Sequence, residues 1–131
     1  MENRVLWLRI TYWVGIIFDG LMVFPMLFPK IAIMMVGISG DLSATYKYAM
    51  RCGAALMAGW TVLLFWADRK PVERRAILLI TLFPVLTGLI LAGVYAVSAG
   101  VISPDRMTPI FITQAVCLFL DVFSLTRARK I

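Results

Sequence analysis

The chain has 131 residues, 62% of them hydrophobic and 15% charged, whereas a soluble domain of this size carries about 45–50% apolar and about 25% charged residues. A mean hydropathy of +0.92 therefore excludes a water-soluble monomer and makes lipid the outer solvent. The net charge of +6 raises nucleic acid as a partner, but the basic residues gather at the ends of apolar stretches, so no nucleic-acid role is expected.

Four apolar stretches reach the length of about 20 residues needed to cross a ~30 Å hydrocarbon core. Each is expected to be helical, because backbone groups in lipid must bond within their own segment, and the alternation of barrel strands is absent. The first covers about residues 6–28 and is interrupted by Arg9 and Asp19. Arg9 splits its apolar run and no small-x-small cleavage site follows, so it is expected to be a retained helix rather than a signal peptide. The connection from Pro29 to Thr45 contains the apolar run Ile31 to Ile38, then Ser39-Gly40-Asp41. That run is too short to span, and is expected on the outer membrane surface or in the mouth of the bundle. Asp41 or Ser43 is placed to cap the next helix.

The second span covers about residues 46–67, with Arg51 in its first turns. The third, about 76–99, is uncharged, and its Pro84 removes the hydrogen bond to the Ile80 carbonyl, predicting a bend that Thr81 or Thr87 compensates. Gly88, Ala92, Ala96 and Gly100 at four-residue spacing, with Ala55 and Gly59 in the second span, predict close helix packing. The fourth, about 108–126, carries Asp121. Thr113, Gln114, Cys117, Asp121 and Ser124 recur on it at three- and four-residue spacings, a polar stripe expected to face inward. Met22, Met26, Met34, Met35, Met50 and Met57 lie toward the outer half, as apolar filler or as the lining of an adaptable pocket.

Basic residues are retained on the cytoplasmic side. Placing both ends and the loop between spans two and three on that side collects Arg4, Arg9, Arg69, Lys70, Arg74, Arg75, Arg127, Arg129 and Lys130. Lys30, Lys47, Arg51 and Arg106 fall on the other side, so the balance is nine to four. The expected fold is all-α: one integral membrane domain over residues 1–131, an antiparallel four-helix bundle in the cell membrane with both termini cytoplasmic.

The chain has no histidine, which removes the commonest general base and transition-metal ligand. Cys52 and Cys117 form neither a redox pair nor a zinc motif and are expected to be buried thiols. No catalytic residue, metal or cofactor is expected. Ionisable groups in a membrane cost about 2.5–3.5 kcal/mol each at a helix centre on insertion scales, so each needs a partner or a purpose. Depth matching predicts two ion pairs, Asp19 with Arg51 and Arg9 with Asp121, which makes these four residues and Gln114 the intramembrane polar set.

Trp7-Leu8-Arg9-Ile10, then Phe18-Asp19-Gly20, the Gly/Ala-rich Cys52-Gly53-Ala54-Ala55-Leu56 and the basic loop before the third span together resemble the DoxX-like small four-helix membrane proteins. The segment Lys30 to Lys47 is longer than a minimal version of that pattern. The resemblance implies an accessory role in a membrane complex. The expected function is accordingly non-enzymatic: an accessory subunit, or a bundle binding lipid or a small apolar ligand, with membrane lipids and a membrane-protein partner or second copy as partners. The competing reading is a proton-coupled small transporter using Asp19 or Asp121. The nine-to-four bias disfavours a dual-topology dimer for it. A lipid enzyme lacks a second clustered catalytic group.

Overall fold

A computed structural model describes residues 2–37 and 43–129. Among these residues all regular structure is helical, and four helices are long and apolar enough to cross a membrane. The elements are α1 (Glu2–Leu27), α2 (Pro29–Val36), α3 (Ala44–Asp68), α4 (Ala76–Ile80), a π-type segment (Thr81–Leu86), α5 (Thr87–Ser98) and α6 (Pro104–Arg129).

Local chemistry explains the boundaries. Pro29 opens α2 from its first position, where its missing N–H is not needed, and Gly37 ends it in the left-handed conformation (φ 64°). Ser43 caps α3, its hydroxyl accepting from the Tyr46 N–H at 3.2 Å. The other capping candidate, Asp41, lies outside the described residues, as does Ile38 at the end of the apolar run. Asp105 in the first turn of α6 and Arg127 and Arg129 in its last suit the helix dipole.

The uncharged third span breaks rather than merely bending. Phe83, the residue before Pro84, is extended (φ −143°, ψ 116°), because the proline ring crowds its neighbour out of the helical region. Both predicted threonines bond within the break, though neither to the Ile80 carbonyl. Thr81 donates to the Ile77 carbonyl at 2.8 Å and Thr87 to the Leu82 carbonyl at 3.0 Å, while Trp60 Nε1 donates to Thr81 Oγ1 at 3.2 Å.

The core concentrates where the first turns of α1, the α3–α4 loop and the last turns of α6 meet. Leu8, Tyr12, Leu64, Ala67, Leu78 and Ala128 are buried there. Tyr12 donates to the Arg74 carbonyl at 3.0 Å and Arg75 to the Ala128 carbonyl at 2.9 Å. Large apolar side chains elsewhere point outward, Leu56 at 77% and Phe119 at 66% exposure, as a lipid-facing surface requires. The short α2 folds into the mouth: Ala32 and Val36 are buried, and Arg106 donates to the Met34 carbonyl at 3.1 Å.

Two sequence expectations are corrected by this packing. The proposed small-residue faces look mostly outward, since a Cβ added at Gly59, Gly88 or Gly100 meets nothing within 4 Å and Ala55 and Ala92 are exposed, with Ala96 half-buried. Close approach falls instead on Gly93, where a Cβ would lie 2.5 Å from Met107 Cε and 2.9 Å from Phe111, and on Gly53, against Met26. Cys52, expected to be buried, is exposed, and Cys117 is half-buried.

Candidate functional site

The inward face of α6 brings Cys117, Asp121 and Ser124 to α1, whose Thr11, Gly15 and Asp19 repeat every four residues and so share one face. At one end of this seam the Thr11 and Ser124 hydroxyls bond each other at 2.6 Å, and both reach the Trp7 carbonyl, at 2.9 and 3.2 Å. Beyond that pair is a cavity of about 40 Å³ lined by Thr11, Gly15, Asp19, Thr81, Cys117 and Asp121 among apolar neighbours that include Leu64, Leu78 and Leu86. Asp121 is 4% exposed. Among the described residues neither Asp19 nor Asp121 makes an ion pair or hydrogen bond. The two carboxylates instead line the same cavity.

Neither predicted ion pair forms among the described residues, and helix register supplies the reason. Gly20 of α1 packs against Thr61 of α3, and Gly53 against Met26. Asp19 thus stands level with α3 residues roughly ten positions from Arg51, about 15 Å along the axis at 1.5 Å per residue. Arg51 lies beside a separate hollow with Met26, Tyr46, Lys47 and Met50. Arg9 is two residues from Thr11, hence about 200° around α1 from the α6-facing side. It pairs with Asp68 at 3.6 Å. Asp68 was missed as a partner because the apolar run of the second span stops at Ala67, one residue before it.

Gln114 lies one turn beyond Cys117 on the same stripe, with its buried Oε1 unpartnered among the described residues. Thr113 turns back to the Pro109 carbonyl at 2.9 Å and is no part of the cavity. Of the methionines set aside for a pocket, Met26 and Met50 line the hollow beside Arg51, while Met34 and Met35 are exposed. Thr11 and Gly15 are seam residues that polarity alone did not single out. The signal was their four-residue spacing with Asp19.

The geometry sets what the seam can do. Counting from the Thr11–Ser124 level, Asp121 is three residues and Asp19 eight residues further along, which separates the two by about 7.5 Å at 1.5 Å per residue. The intervening 40 Å³ compares with about 10–15 Å³ needed to hold one water. No group of three or more metal-ligating side chains occurs among the described residues. In comparison with known proteins, no family model matches the chain, and neither a curated protein nor a solved structure matches it.

Proposed function

We propose that this is a polytopic membrane protein, an antiparallel four-helix bundle with both termini cytoplasmic, that relays protons between Asp121 and Asp19 across the membrane. The observation that carries the reading is the pair of carboxylates lining one interior cavity with no cationic partner among the described residues. A structural role for these acids calls for a partner, because an unpaired charge in hydrocarbon is costly, whereas proton exchange accounts for both acids at once. A proton bound at one carboxylate passes to the other through one or two bridging waters, leaving the donor ionised and ready for the next. The Thr11–Ser124 pair closes the cavity toward the basic end and gates that side.

The orientation is supported by the gathering of Arg9, Asp68, Arg74, Arg75 and Ala128 at one end, with the basic majority of the sequence. The accessory-subunit reading, which the DoxX-like resemblance implies, is favoured by the size of the cavity, which admits water and no larger substrate. No catalytic residue is proposed.

Proton flux into proteoliposomes, driven by a potassium diffusion potential and read with a trapped pH dye, separates the two. Wild type should acidify the lumen, and Asp19→Asn and Asp121→Asn should each reduce the rate at least tenfold. Absence of flux in folded wild-type protein would sink the relay and leave the accessory reading standing.

A further inference from the structure

We propose that the groove between α4 and α6 seats one anionic phospholipid, its phosphate held by Arg75 and Arg129 and an acyl chain lying along Leu79, Leu82, Val122 and Leu125. The groove encloses about 370 Å³ and has no acidic residue in its lining, and its size falls within the about 300–1,000 Å³ usual for small-molecule sites. Its two ends differ in chemistry. Both arginines lie where α4 begins and α6 finishes, while the body of the groove is aliphatic and open to the surroundings, with Leu79 53% and Val122 48% exposed. A charged head above an apolar slot matches one phospholipid and fits neither a soluble anion nor a plain hydrocarbon.

The neighbouring basic residues among those described are engaged elsewhere, which singles out this pair. Lys70 binds Glu73 at 3.1 Å and Arg9 binds Asp68. Arg69 lies over Phe65, Arg127 over Phe123, and Arg74 stacks 3.3 Å from the Trp66 ring. Arg75 spends one nitrogen on the Ala128 carbonyl, which anchors its guanidinium against the last turn of α6 with further donors to offer. Arg129 makes no ion pair among the described residues. Guanidinium groups bind phosphate in a bidentate fork, and basic pockets between membrane helices are known seats for anionic headgroups. The proposal is independent of the proton relay.

Native mass spectrometry of the purified full chain, released from detergent with phosphatidylglycerol or phosphatidylcholine at equal concentration, tests it. One phosphatidylglycerol should be retained, and phosphatidylcholine far more weakly. Arg129→Gln should weaken retention about fivefold, near the worth of one basic residue at an anionic surface. Val122→Trp, which keeps every charge and fills the slot, should weaken it as much, and Arg69→Gln should leave it unchanged. Arg129→Gln leaves the Arg75–Ala128 bond intact, and melting temperature reports the folding of each variant. Equal retention of the two lipids, an equal loss in Arg69→Gln, or displacement of the lipid by inorganic phosphate would each overturn the site.

Discussion

Thr11 and Ser124 end the cavity with two hydroxyls that satisfy each other and a backbone carbonyl, so no polar atom is left bare at that level. A neutral hydrogen bond of this kind is worth about 1 kcal/mol net. Thr11→Val and Ser124→Ala should each cost about that much, and the double variant less than their sum, since both delete the same bond. Thermal unfolding in detergent measures this; fully additive losses would mean that the two side chains do not touch. The acids differ from these residues because nothing nearby compensates them. Their presence was plain in the sequence from the cost of charge in lipid. Their partners were not, because depth counted from span ends ignores both helix register and the direction in which each residue points. Arg9, two positions from Thr11, shows how far that omission misleads.

At the scale of elements, glycine spacing was an unreliable guide to contact. Four-residue spacing selects a face but not what the face meets, and in α5 the meeting face runs through Gly93, one residue off the predicted row. Gly93→Ala should clash with Met107 and Phe111 and cost about 1–3 kcal/mol. Gly88→Ala, in open space, should be neutral or gain up to about 1 kcal/mol from helix propensity. Equal effects on melting temperature would reject this assignment of faces. Pro84 was a better signal, because its steric rule is local: it disfavours helical geometry at the residue before it. The same locality made the Ser43 cap legible, whereas the tuck of α2 into the mouth depends on long-range contacts such as Arg106 to Met34.

For the whole molecule, span number was readable because twenty apolar residues have few alternatives in lipid, whereas the proposed orientation rests on charge bias alone. Labelling single cysteines in a cysteine-free background with an impermeant maleimide should reach Ser43→Cys in intact cells and Arg69→Cys only after permeabilisation; the reverse pattern would invert the topology. What joins the helices functionally is the claim that Asp19 faces Asp121 rather than Arg51. Two double-mutant cycles on reversible unfolding in mixed micelles measure it, one joining Asp19→Asn to Asp121→Asn and the other joining Asp19→Asn to Arg51→Gln. The account predicts a coupling of about 1 kcal/mol or more in the first cycle and additivity within about 0.5 kcal/mol in the second. Coupling between Asp19 and Arg51, with additive effects at Asp19 and Asp121, would contradict it.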